Sequence, residues 1–163
     1  MARAGYMQII GQQQGELLGS IYDERYGQGL IKVLALTHQL ERPGAGQGSL
    51  LSSSVNHLPI ELVKPIDAAS PLLNQALCEQ EALTVTLTWY QPDEEGQPQP
   101  HYQLLLEKAQ VQSLTTEMPD CRLPDKDGWH FQERLKLVYQ SITWRYGPGG
   151  EQEFQTLARR GQE

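Results

Sequence analysis

Four histidines, two cysteines and a few clustered carboxylates are the side chains through which this chain could do chemistry. His38, His57, His101 and His130 are scattered, and none stands at helical spacing from another. His38, on a strand face, reads as a satisfied or interface histidine rather than a ligand. His130 and Glu133 lie three residues apart, but at the entry to a strand they would point to opposite faces, so they do not read as a catalytic pair. Cys78 and Cys121 have no Cys or His at metal-ligand spacing and read as free thiols of a reducing compartment. Gly44-Ala45-Gly46-Gln47-Gly48 is like a phosphate-cradling loop by glycine content alone, since it lacks the lysine and the helix that follow such a loop. Asp93-Glu94-Glu95 reads as a solvated turn. Trp89 and Trp144 read as core or interface mass rather than a sugar platform. The Walker sequence, the Gly-x-Ser-x-Gly elbow, His-Glu-x-x-His and Cys-x-x-Cys are all absent. No nucleophile–base–orienter set can be assembled, so no catalytic, cofactor or metal site is expected.

The charge balance agrees. Thirteen basic against 20 acidic residues leave a net charge of −7, which argues against a nucleic-acid binder and its basic footprint. At 163 residues the chain fits one domain and can bury roughly two-thirds of its unfolded surface. The N-terminal run lacks the apolar segment of a signal peptide, and no stretch approaches the ~18 apolar residues of a membrane span.

The elements that must position these residues are mostly strands. Leu83, Val85, Leu87 and Trp89 alternate with Thr84, Thr86, Thr88 and Tyr90, the pattern of a strand with one face on a core. The acidic Pro/Gly segment 92–98 then turns the chain, and Tyr102, Leu104 and Leu106 alternate again, predicting a hairpin extended by Ala109-Gln110-Val111. Leu30 to Leu40 predicts one strand with Leu34, Leu36, His38 and Leu40 on one face and Ile31, Val33 and Ala35 on the other. Leu58 to Ile66 predicts another, with its prolines at ends or an edge. Leu135 to Tyr146 is long and apolar on both faces in part, which requires either a bulge or cover on both sides. One helix is expected, with Ser70 as N-cap, Pro71 at its first position and Leu72, Leu73, Ala76 and Leu77 on one stripe. Two loops stand out by length, Pro43 to Ser54 and Thr115 to Gly128. After Gly147-Pro148-Gly149-Gly150 a turn and one last strand around Glu153-Phe154 are expected. The sum is a β-dominated sandwich or barrel with one short helix.

The run from His57 to Leu73 resembles the Hcp family, the haemolysin-coregulated tube proteins of bacterial type VI secretion. His57, Lys64, Asp67, Ser70, Pro71 and Leu72 fall where the family carries His, Lys, Asp, Ser-Pro and leucines. The resemblance continues through residues 85–90 and 102–107 and ends in Ser141-Ile142-Thr143-Trp144-Arg145-Tyr146, including Trp144 and Tyr146. In place of the family's shorter Gly-Glu-Ser segment this chain has Gly15-Glu16-Leu17-Leu18-Gly19-Ser20.

The resemblance implies a β-barrel built from two antiparallel sheets, with one short α-helix (about residues 70–79) at its side. It implies a single domain over residues 1–163 without a fused C-terminal effector domain. It further implies a homohexameric ring, stacked rings, a contractile sheath, a spike and effectors held in the lumen. Such a protein is cytoplasmic before firing, expelled without a signal peptide, not an enzyme, and binds neither nucleic acid nor membrane. The long Gly/Ser-rich loop, with Pro43, Gly44, Gly46, Gly48, Ser49, Leu50, Leu51, Ser52 and Ser53, is expected to touch a neighbouring ring or subunit. A monomeric small-molecule-binding barrel and an enzyme on a β scaffold are the alternatives.

Overall fold

The computed structural model describes residues 3–44, 48, 50–126 and 131–158. In chain order its first strands are β1 (Gly5–Gly11), β2 (Gly15–Glu16), β3 (Ile21–Asp23), β4 (Gly27–Val33), β5 (Ala35–Thr37), β6 (Leu40–Glu41), β7 (Asn56–His57) and β8 (Ile60–Pro65). After helix α1 (Ser70–Cys78) come β9 (Leu83–Pro92), β10 (Pro98–Glu117), β11 (Gln132–Val138), β12 (Ser141–Tyr146) and β13 (Gln152–Leu157).

The alternating run 83–90 and its successor form the predicted hairpin, and Gly96 takes the positive φ of 83° that the turn requires. Two antiparallel sheets share β10. One runs β3-β4-β1-β9-β10-β12-β13, with β2 on β1; the other runs β10-β11-β8-β5. The first half of β10 pairs with β9 and β12, and its second half pairs with β11. Between them the register shifts from Leu106 to Ala109, and Lys108 adopts a φ of 49°, a bulge that bends the strand from one sheet into the other. The chain makes the same passage from β4, paired with β1, to β5, paired with β8. At this bend the Leu34 N–H donates to the Val63 carbonyl at 2.8 Å. The hydrogen-bonded path ends at β3 and β5, so these two bent segments fold the sheets into a barrel. Met7, Ile9, Ile31, Leu62, Leu87, Leu106 and Leu135 fill it. Gly5 has no side chain because a β-carbon there would lie 2.8 Å from Trp89 Nε1, and the indole occupies that space.

Four expectations need correction. Residues 30–40 are not one strand: the chain breaks at Leu34, so Ile31 and Val33 are buried before the bend and Leu36 turns inward after it. Residues 135–146 are two strands, and the turn at Tyr139-Gln140 changes the phase without a bulge, while Ser141, Ile142 and Thr143 are all buried, so the start of β12 is covered on both faces. Thr115 to Glu117 belongs to β10 rather than to the second long loop, because β11 pairs with it to the end. Ser70 does not cap α1: Ala69 holds the N-cap without a side-chain bond, and Ser70 is the first helical residue with its hydroxyl turned into the barrel wall. Pro71 therefore stands second in the helix rather than first, still within the first turn. Leu73 and Ala76 are buried, Leu72 and Leu77 pack beside them, and the helix lies against β10.

Candidate functional site

The motif residues converge on a buried charge cluster. Lys64 stands on β8 in phase with the inward Ile60 and Leu62, and its side chain is wholly buried. Across the ladder, Glu133 stands on β11 in phase with Leu135 and Leu137, directly opposite Lys64. The ammonium donates to the Glu133 carboxylate, to Asp67 Oδ1 and the Pro65 carbonyl at 2.9 Å each, and to Ser70 Oγ at 3.3 Å. Ser70 Oγ donates to Glu133 at 2.8 Å and accepts the Asp67 N–H at 2.9 Å. Asp67 Oδ1 also accepts the Ala69 N–H at 3.0 Å. A buried charge is tolerable only when it is paired and hydrogen-bonded. The Lys64 ammonium meets that demand, Glu133 does so through Oε1 while its buried Oε2 has no partner among the described residues, and the set pins the start of α1 to the barrel. Its burial excludes substrate, so the cluster is architecture.

The accessible apolar surface lies elsewhere. One cross-strand row runs Met7–Leu87–Leu104–Trp144–Phe154 over five strands of the first sheet. Met7 and Leu87 are fully buried, Trp144 partly, and Phe154 is 63% exposed. The first sheet thus extends past the second, and β12 and β13 carry the inner apolar face beyond its cover. Beside this overhang lies an open cleft of about 950 Å³ lined by Leu36, His38, Trp89, Tyr102, Leu104 and Trp144, among others. His38, Trp144 and Phe154 stack in series, with centroids 6.3 and 5.9 Å apart. Half-exposed Tyr146 meets His101 edge-on at 5.4 Å.

At the other side of His38, two imidazoles share one hydroxyl. Tyr139 Oη lies 2.8 Å from His38 Nε2 and 2.7 Å from His57 Nδ1. Burial holds both imidazoles below the ordinary histidine range, and His57 lowers His38 further; burial also pushes the Tyr139 phenol up. His57 ends the β6–β7 ladder, which forms the stem of the long loop. Within the loop the Ser52 N–H donates to the Pro43 carbonyl at 2.7 Å and Arg42 Nε donates to the Ser52 carbonyl at 2.8 Å. Leu50 is 95% exposed and Leu51 51%. Gly46 and Ser49 lie outside the described residues, as does His130.

Comparison with known proteins decides the family. Residues 6–146 match the family model described as type VI secretion system effector, Hcp. The chain belongs to the Hcp family. It is 29% identical over 160 residues to the major exported protein of Pseudomonas aeruginosa, covering 92% of each chain. Its fold is similar to Hcp1 from the E. coli EAEC 042 pathovar, with a TM-score of 0.84 at 25% identity, over 97% of this chain and 100% of the other. It is similar also to the secreted protein Hcp3 from Pseudomonas aeruginosa, with a TM-score of 0.75 at 24% identity, over 98% and 100%.

Within this Hcp fold, Lys64, Asp67 and Ser70 come together, whereas Trp144 lines the cleft, His57 bonds Tyr139, Tyr146 meets His101, and Pro71 and Leu72 belong to the helix. Reading the sequence weighed Glu133 only beside His130 and missed its pairing with Lys64, and it missed the role of Tyr139. Glu133 carried a signal, since it shares the two-residue phase of Leu135 and Leu137 just as Lys64 shares that of Ile60 and Leu62.

Proposed function

We propose that this chain is the structural protomer of a type VI secretion inner tube, closing six copies into a ring that stacks on others and holds effectors in its lumen. The observation that carries this reading is the family match over residues 6–146. The overhang suggests how copies meet. Phe154 lies at the β13 edge of the first sheet; at the opposite edge Tyr22 is exposed on β3 and Leu18 is exposed just before it. Two different apolar patches on one chain suit a heterologous contact, which gives a ring when its rotation closes. A monomeric carrier would instead enclose its ligand, and this cleft is open to solvent. The other implied properties follow: one tube domain without catalytic activity, cytoplasmic before firing and expelled with it, and a sheath, a spike and effectors as partners.

Mass measurement in solution tests the ring. The chain should run at six times its 18.4 kDa, and Phe154→Asp should leave a folded monomer with an unchanged circular dichroism melt. A monomer at every micromolar concentration, or a Phe154→Asp variant that keeps the ring, contradicts the proposal.

We further infer that the loop Pro43 to Ser54 touches the next ring, with Leu50 and Leu51 as its apolar contacts. Deleting residues 46–53 should keep the protomer folded but weaken stacking seen by electron microscopy. Unchanged stacks would make the loop a bystander.

A further inference from the structure

The β6–β7 ladder is a two-stranded sheet of its own, outside the hydrogen-bonded path of the barrel. Such a pair is marginal alone in water, so something must hold it. Tyr139, in the turn between β11 and β12, reaches it through His57, and reaches the chain just before it through His38. We propose that His38, Tyr139 and His57 form an acid-released clamp on the stem of the long loop. The inference stands on this chain alone, whether or not rings form.

A phenol hydroxyl donates one hydrogen bond and accepts up to two. With both imidazoles neutral, Tyr139 donates to one ring nitrogen and accepts an N–H from the other. A first proton leaves this chain of bonds intact: the imidazolium donates to the hydroxyl, which donates to the remaining neutral ring. A second proton breaks it, because both facing nitrogens become donors, the hydroxyl proton loses its acceptor, and two cations meet at one oxygen.

The surroundings do not welcome that charge. Arg3 lines the same cleft as His38 and Lys108 lines the cavity beside Tyr139; the ring face of Trp144, stacked on His38, favours a cation there, and a single cation is compatible with the clamp. Glu61 stands opposite Thr37 but is paired with Lys136, and Glu41 accepts from Gln39. No carboxylate among the described residues bonds either imidazole. Burial lowers both histidines, so the clamped state binds fewer protons than the open one. Clamping therefore strengthens as pH rises and is lost as pH falls through the lowered values, below the ordinary ~6.5.

Hydrogen exchange followed by mass spectrometry, corrected for intrinsic rates, tests this between neutral pH and about pH 4.5, below the ordinary range of histidine. Amides of residues 40–42 and 56–58 should lose protection by about tenfold or more on acidification, while β9 and β11 keep theirs. Tyr139→Phe should leave the stem unprotected at both pH values. His57→Gln keeps a side-chain partner for the hydroxyl that does not titrate, so the stem should stay protected at both. Equal stem protection at the two pH values in the unsubstituted chain overturns the clamp. So does an acid response that persists in both variants, or one in which the whole barrel opens together with the stem.

Discussion

Lys64→Ala is expected to cost about 3–5 kcal/mol, the usual effect of removing one partner from a buried ion pair. The alanine would leave the Glu133 and Asp67 carboxylates facing each other in a site from which water is excluded. Against a domain stability of ~5–15 kcal/mol that is a large fraction. At roughly 2–4 °C per kcal/mol for a chain of this size, melting should fall by roughly 6–20 °C. The triple change Lys64→Met, Glu133→Leu and Asp67→Asn removes the charge of all three groups, and should recover much of the loss because apolar replacement of a buried pair is often neutral and the asparagine keeps an oxygen for the Ala69 N–H. Thermal melts of the two variants decide the matter. If Lys64→Ala melts within a degree or two of the parent, the cluster does not hold the helix to the barrel.

Leu73→Asp should be at least as severe. Leu73 is wholly buried where α1 lies on β10, and truncating such a leucine to alanine alone costs about 2–5 kcal/mol. The aspartate adds an unpaired charge at the same place. The variant is expected in the insoluble fraction or, if soluble, without a cooperative melt. Leu77→Asp should be milder, because Leu77 is only partly buried and its carboxylate could turn toward water. A soluble Leu73→Asp protein with a parental melt would mean that the leucine stripe does not face the barrel.

What the sequence revealed and what it hid have physical causes. The β9–β10 hairpin was legible because period-two alternation on both arms flanks a turn of Pro, Asp and Gly, where backbone preference and burial agree. The helix was legible through Ser-Pro and its leucine stripe, but Ser70 lies inside the helix instead of capping it, its hydroxyl donating to Glu133, a carboxylate contributed by a strand 63 residues away. The breaks at Leu34 and at Tyr139-Gln140 carry neither Gly nor Pro; they arise because each sheet claims a different part of the chain, which local pattern does not encode. The Lys64 cluster stayed hidden for a related reason. Alternation counts apolar residues, and a lysine in an inward position is marked only when its partner on another strand is known.

The sharing of β10 between both sheets also sets the order in which the protein can be made. Synthesis proceeds at about 5–20 residues per second, so the first 97 residues leave the ribosome seconds before the shared strand is complete. Until then β9 has β1 on one flank and nothing on the other, and α1 has no floor to rest on. Neither sheet can close early, and pairs such as Tyr6 with Thr88 join distant parts of the chain, a topology that folds slowly. Completion of the barrel therefore awaits β10, and until then the apolar faces that it covers lack their native partner. The vulnerable moment of this protein is its synthesis, when β9 and α1 wait for the strand that covers them.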